Sequence, residues 1–371
     1  MNRKVVLRRC GEYDVKLLLD HIAGIYELCG GPDPAGKRVL VKPNILTDDN
    51  PAKCISTHPA VVEALILYLM GRGAVVSVGD SPAVHRKGFN GRRSGILDVC
   101  LRTGAEWAVF TRNPGKITVA GRKISIARAA LEADLIVSVP KFKTHELMYF
   151  TGAVKNTLGL VPGLSKARQH AIHQDRQGFG KFLVDLNVAI TPHFFLMDGI
   201  MAMEGPGPGN GYPVKTGIIA GSVNPVALDI IVSSVAGYNP ADIPTSANAL
   251  ERGLWQLDSV SGVEYDGPPL SEIIRSDFIR VGIKKNTNVA LQFVVRRIKP
   301  LRKLEHRPVF ISKNCIGCRK CIEICPVKAI EFHPVTKNKV MLTDSKCIRC
   351  FCCSEVCPSG AVEIRRKLFG R

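Results

Sequence analysis

Acidic residues are scarce in this chain: 32 Asp and Glu stand against 51 Lys and Arg, a formal net charge of +19. Such a surface attracts acidic partners, whether nucleic acid, anionic lipid, phosphorylated substrate or an acidic redox protein. Aromatics are few as well, 6% of residues with only two Trp. No aromatic-rich stacking platform and no helix-turn-helix pattern accompany the charge, which argues against nucleic acid. Uninterrupted apolar runs are missing too. The longest candidate, GIIAGSVNPVALDIIVSSVAG at 217–237, contains Asn224, Pro225 and Asp229. A carboxylate at mid-bilayer is costly, so no transmembrane segment is expected there, but a buried strand, turn and helix. The opening MNRKVVLRRCGEYDVK is basic yet never develops the apolar stretch of a secretory signal, and the expected location is the cytoplasm. Neither a P-loop, a dinucleotide fingerprint nor a radical-SAM C-x₃-C-x₂-C pattern occurs, so ATP, NAD and SAM are not implied.

Cysteine, by contrast, is abundant and unevenly placed. Cys10, Cys29, Cys54 and Cys100 are scattered, whereas the other nine of thirteen fall within 315–357. Scattered intracellular cysteines are usually small buried hydrophobes, while a crowded set with C-x-x-C spacing points to metal. An offset of 32 superimposes Cys315, Cys318, Cys321, Cys325 and Pro326 onto Cys347, Cys350, Cys353, Cys357 and Pro358. The first copy fixes the template C-x₂-C-x₂-C-x₃-C-P, and Cys352 alone falls outside it. Three thiolates on one tight loop reach three irons of a cube, while the fourth, on a following helical turn, reaches away. RPVFISK and NKVMLTD read as strands before each loop, and AIEFH and AVEIR as return strands. A structural zinc site is the simpler alternative.

This segment, about 307–365, resembles the bacterial two-[4Fe–4S] ferredoxins. The resemblance implies that Cys315, Cys318, Cys321 and Cys357 hold cluster I, and that Cys347, Cys350, Cys353 and Cys325 hold cluster II. It also implies a redox partner protein, acidic given the charge. The domain organisation expected is a large α/β domain over 1–285, a basic linker over 286–306 (VVRRIKPLRKLEHRP and its flanks), and an α+β ferredoxin-like domain over 307–371.

The large domain alternates strand-like runs with helical patterns, which predicts a sheet covered by helices. RVLVKPN, AVVSVGDSP, DLIVSVPKFKTH, HFFLMDGI and TGIIAGSVN are the clearest strands, and HPAVVEALILYLMGRG the clearest helix, with Pro just inside its start and Gly at its close. Polar residues end each strand: Lys42 and Asn44; Asp80 and Ser81; Lys141, Lys143 and His145; Asp198; Ser222 and Asn224. In open α/β sheets ligands bind beyond the carboxyl ends of strands, so these groups are expected to converge on one cleft. The densest stretch, PKFKTHELMYFTGAVKNTLGLVPG (140–163), offers an anion site from Lys141, Lys143, Thr151 and Asn156, with His145 as acid, base or metal ligand. Lys42, Asn44, His145, Lys155, Asp198, Glu204 and Asp229 are the candidate catalytic residues. The carboxylates Asp198, Glu204 and Asp229 flank EGPGPGNG, which reads as a lid or turn, and bind Mg²⁺ or balance the lysines.

The motifs VKPNIL, THPAVVEALI, VGDSP, ADLIVSVPKFKTH, TGAVKNTLGLVPG, DGIMAMEGPGP and NPVALD resemble the DUF362 proteins across most of residues 1–250. That resemblance implies a site around these motifs and no agreed reaction. The domain is also similar, more distantly, to nickel-pincer lactate racemases. In that family a histidine and a lysine ten positions later, here His145 and Lys155, lie at the cofactor, and a further histidine, His170 or His173 here, binds nickel. AVKN stands where the racemases carry a double-Gly-Arg-Lys segment. The expectation is an oxidoreductase, or its electron-transfer component, in a low-oxygen setting, acting on an anionic small molecule, with an unidentified small-molecule cofactor or divalent metal as a further candidate in the large domain. The alternatives are a non-enzymatic electron carrier, and a racemase- or isomerase-like enzyme with structural or regulatory clusters.

Overall fold

The computed structural model describes residues 2–82, 91–173, 175–283, 306–336 and 339–366. The expected basic linker, apart from His306, lies outside the described residues.

Sixteen strands occur among the described residues. Those of the large domain are β1 (Lys4–Arg9), β2 (Arg38–Pro43), β3 (Val75–Val78), β4 (Glu106–Trp107), β5 (Gly115–Val119), β6 (Arg122–Ile126), β7 (Leu135–Val139), β8 (Lys141–His145), β9 (Tyr149–Thr151), β10 (Phe194–Glu204), β11 (Tyr212–Ser222) and β12 (Glu264–Asp266). Ten of them form one mixed sheet along the path β12-β1-β11-β10-β7-β2-β3-β4, with β8 joined to β10 and β9 to β8. The centre, β10-β7-β2-β3, is parallel, and β11 runs antiparallel to both β10 and β1.

Both faces of this sheet are covered, as a parallel centre requires. Alternate side chains of each strand enter separate cores. Leu40, Ile136, Phe195 and Met197 join one core with helices 176–190 and 225–235; Val39, Val41, Val137, Phe194 and Leu196 join the other with helices 15–28 and 59–71. The 217–237 stretch is the end of β11, a turn and helix Pro225–Val235, whose start is capped by Asn224 through the amides of Val226 and Ala227. None of the described helices is long and apolar enough to cross a membrane.

Two expectations are corrected. DLIVSVPKFKTH forms two strands, β7 and β8, because Pro140 has no amide to extend the ladder. Ser222 and Asn224 do not share the cleft with the other strand ends. Ser222 pairs with Phe195 at the beginning of β10, so the antiparallel course of β11 carries its end to the opposite edge of the sheet.

The C-terminal module is built from β13 (His306–Phe310), β14 (Ile330–Phe332), β15 (Val340–Leu342) and β16 (Val362–Arg366). Each copy's first strand pairs with the other copy's return strand, β13 with β16 and β14 with β15. The repeat is visible in the backbone. Gly317 and Arg349, Arg319 and Phe351, and Lys328 and Gly360 occupy matching left-handed conformations, with φ of 67° and 60°, 67° and 59°, and 50° and 60°. These turns direct amides inward. Those of Ala329 and Ala361, again 32 apart, donate to Cys325 Sγ and Cys357 Sγ at 3.2 Å each.

Candidate functional site at the domain junction

The tips of β2 and β3 build the floor of a cleft. Lys42 Nζ donates to Pro43 O (2.8 Å) and Asn156 Oδ1 (3.0 Å) and pairs with Asp80 Oδ1 at 3.0 Å. Its three protons are thereby used. Asp80 in turn accepts from the amides of Ile45 (2.5 Å) and Ser81 (2.8 Å). Asn156 is engaged on every side, taking Asn44 Nδ2 at 3.1 Å and giving to Ser138 Oγ at 2.9 Å and Lys42 O at 3.3 Å. Gly159 lies against this pair; a Cβ there would collide with Asp80 Oδ1 and Lys42 Nζ. Burial pulls the Lys42 ammonium down and Asp80 opposes the shift.

Other sequence-selected residues sit beside the cleft and are consumed internally. Lys141 Nζ donates to Asp198 Oδ2 (2.8 Å) and Tyr13 Oη (3.0 Å), while Asp198 also accepts from Tyr13 Oη (2.9 Å) and the His58 amide (2.8 Å). Asp198 thus balances a lysine. Lys143 Nζ donates to Asn44 Oδ1 (2.7 Å) and Ile55 O (2.6 Å); burial, then the neighbouring ammonium groups of Lys155 and Lys141, push it well below its usual value. Thr151 Oγ1 donates to Lys143 O. Glu204 accepts the Ile279 amide, and Asp229 accepts those of Ala153 (2.6 Å) and Val154 (3.1 Å). The three carboxylates Asp198, Glu204 and Asp229 therefore have separate partners. Asp229 fixes the turn that carries Lys155, and burial raises its carboxyl to about 7. His173 stacks on Phe182 at 4.7 Å. Among the described residues no three His, Cys, Asp or Glu side chains are grouped to hold a single metal ion.

The cleft's walls come from both domains. Lys155, Asn156, Gly159, Lys166 and His170 supply the large-domain wall; Ile324, Cys352 and Glu355 of the cysteine-rich module supply the other. The junction is knitted by several contacts. Glu355 Oε1 lies 3.3 Å from His145 Nε2, and Asn210 Nδ2 donates to Ser354 O at 3.3 Å. His145 Nδ1 accepts from the amides of Leu147 (3.0 Å) and Met148 (3.2 Å). Burial, reinforced by Lys155, brings His145 down to about 4. The ring is thus neutral near pH 7 with its proton on Nε2, facing the carboxylate. Burial pushes the Glu355 carboxyl up, but His145, His170 and Lys155 outweigh it and hold the group well below the usual range. The EGPGPGNG segment is the turn between β10 and β11, and it packs on the module at Gly209, whose added Cβ would meet Glu355 O at 2.5 Å.

Two enclosed cavities in the module separate the cysteines. One is lined by Cys315, Cys318, Cys321 and Cys357 with Phe310, Val340 and Ala361. The other is lined by Cys325, Cys347, Cys350 and Cys353 with Ala329, Ile330 and Leu342. The first has four thiols within an apolar shell and the second has its own four plus Cys352, so each offers the donor set a four-iron cube requires. Cys352 lines the second cavity and also the domain-junction cleft. A much wider groove of about 990 Å³ opens elsewhere along the junction and shares Cys357, Ser359 and Val362 with the first cavity.

Glu355, Lys166 and Ile324 drew no attention in the sequence. Glu355 aligns with Glu323 in the first copy, so the repeat made it look ordinary. Lys166 lies beyond the dense 140–163 stretch.

Comparisons with known proteins bear on both parts. Residues 39–234 match a domain of unknown function, DUF362, and residues 314–361 match a 4Fe-4S dicluster domain. A thylakoid-associated protein of Synechocystis sp. is 33% identical over 261 residues, covering 68% of this chain and 81% of the relative. Among solved structures, the lactate racemase apoprotein from Thermoanaerobacterium thermosaccharolyticum aligns over 62% of this chain with TM-score 0.41 and 15% identity. A Thermotoga maritima protein aligns over 65% with TM-score 0.36 and 13% identity. The chain spans 57% and 59% of those two structures.

Proposed function

The chain belongs to the DUF362 family and carries a 4Fe–4S dicluster domain, and from that premise we propose that it is an oxidoreductase component passing single electrons between an external redox partner and a small molecule held in the junction cleft. Cys315, Cys318, Cys321 and Cys357 hold one cluster; Cys347, Cys350, Cys353 and Cys325 hold the other. The two cavities lined by those sets support this assignment. Bound there, the clusters supply one-electron chemistry, tuned by amide hydrogen bonds to sulfur and by exposure.

The observation that carries the reading is Cys352, one side chain common to the wall of the second cavity and the wall of the cleft. Redox module and polar site are therefore adjacent without any domain movement. The chain's own residues close the junction: Glu355 faces His145, and Ile324 lines the cleft's module side. The wide groove beside the first cavity supports docking of the partner there; its lining sets Asp49, Glu146, Glu355 and Glu363 against Lys53 and Lys320, so attraction of an acidic partner rests on the +19 of the whole chain and not on the groove itself. Anaerobic preparation is expected to yield about eight irons per chain, a paramagnetic signal on reduction, and reoxidation by a cleft ligand. Unchanged electron delivery after combined replacement of His145, Lys155 and Asp229 would reject the cleft as the terminus and leave a plain carrier.

A further inference from the structure

We infer that the junction cleft is built to hold a small oxyanion, a carboxylate or a phosphate, gripped by Lys155, Lys166 and His170; this rests on the cleft being the terminus proposed above. Donors in the cleft are left unmatched. Acceptors in the cleft floor are consumed: Asp80 takes Lys42 and two amides, and Asn156 is engaged throughout. Donors remain. Lys155 forms no hydrogen bond or ion pair with any described residue, although its ammonium lines the cleft. Lys166 gives one proton to Ser81 O and has two more. His170, 4% exposed, lines the cleft with Nδ1 unpartnered, a donor in the tautomer protonated there. A buried polar atom left without a partner is costly, so a ligand that completes it is favoured there.

Charge and size agree. Among the cleft's own side chains, leaving aside the cluster behind Cys352, three ammonium groups, on Lys42, Lys155 and Lys166, face two carboxylates, on Asp80 and Glu355. One positive charge is left over, and in a poorly hydrated cleft that favours an anion over a cation. The free volume of about 60 Å³ is a few times what one water needs. It admits the carboxylate or phosphate group of a small molecule.

The test is calorimetric titration of the oxidised, cluster-loaded protein with acetate, with inorganic phosphate, and with acetamide as the neutral counterpart of acetate. Binding of acetate or phosphate, but not acetamide, is expected, and the stronger of the two names the class. Lys155→Met should weaken it at least about tenfold, the loss of one charge-assisted hydrogen bond. Lys155→Arg should restore part of it, and Lys53→Met, in the wide groove, should leave it unchanged. If Lys155→Met fails to retain iron, His170→Ala serves in its place, with the same loss expected. No anion binding, equal acetamide binding, or binding indifferent to both Lys155 and His170 would overturn the inference. Because the titration uses oxidised protein, its failure is distinct from failure of electron exchange, which the reduction experiment reads separately.

Discussion

At Cys352 the duplicated sequence breaks its own symmetry, since the first copy has Lys320 in the matching place. Its Sγ lies 3.8 Å from Cys350 O, and its position in the cleft wall explains why a thiol suits the site: a small, soft side chain fills the partition where a lysine would add a buried charge. Cys352→Ser is therefore expected to keep about eight irons, whereas Cys353→Ser should fall toward about four, because only the latter removes a fourth thiol from a cube. Equal iron loss in both variants would mean that the register has been misread. A second expectation at this scale concerns acid. His145 and His170 are each held near 4 by burial, against an ordinary 6.5. The unfolded chain takes up those protons near 6.5 and the folded chain only near 4, so stability is full above 6.5 and declines as pH falls between the two values. Glu355, depressed in the folded state, adds a further loss below its ordinary 4.5. Each histidine contributes a slope of at most about 1.4 kcal/mol per pH unit. His170→Asn should flatten the decline in urea midpoint between pH 7 and pH 5 by that share, and identical slopes in variant and parent would reject the assignment.

Among elements, the β10–β11 turn does more than reverse the chain. Gly209 lets it lie against the backbone of Glu355, and Asn210 reaches Ser354 O from the same turn. Gly209→Ala forces a backbone carbonyl to move, an overpacking cost of about 1–3 kcal/mol. Since the carbonyl belongs to the cysteine-rich module, the loss should appear as earlier protease cleavage at the junction and a lower melting point, with iron content retained. Loss of iron without loosening would instead place the strain inside the module. How much of this was legible follows from the range of each contact. The parallel strands β2, β3 and β7 were readable from apolar runs ending in polar residues, and the cysteine repeat from spacing alone. The split at Pro140 was readable in principle from one residue that cannot donate an amide. The reversal of β11, which removes Ser222 and Asn224 from the cleft, leaves no local mark, because strand direction is set by a partner elsewhere in the chain. Glu355 and His145, 210 positions apart, meet only through domain docking, so periodicity and propensity carry no trace of the pair.

Over the whole molecule the decisive arrangement is how the openings share walls: the wide groove meets the first cavity at Cys357, Ser359 and Val362, the cleft meets the second cavity at Cys352, and groove and cleft meet at Glu355. The two openings differ in what they admit. The groove is wide and the cleft narrow, so the proposed partner and ligand would enter by different openings that share the Glu355 wall. The charge separates them further. A net +19 spread over the surface accelerates encounter with an acidic donor, and salt screens that long-range attraction beyond a Debye length of about 8 Å at physiological ionic strength. The cleft lysines, Lys42 buried and Lys155 and Lys166 half-buried at the junction, are screened less. Raising salt from 0.05 to 0.5 M, roughly threefold in Debye length, should therefore lower the second-order rate of reduction by an acidic one-electron donor by about tenfold or more. Reduction by a small neutral donor should change little over the same range. Lys320→Glu, in the groove, should depress the rate with the acidic donor at low salt and converge on the parent at high salt. A donor rate flat in salt would remove electrostatic steering of the donor, and convergence failing at high salt would show that Lys320 acts through contact geometry instead of charge.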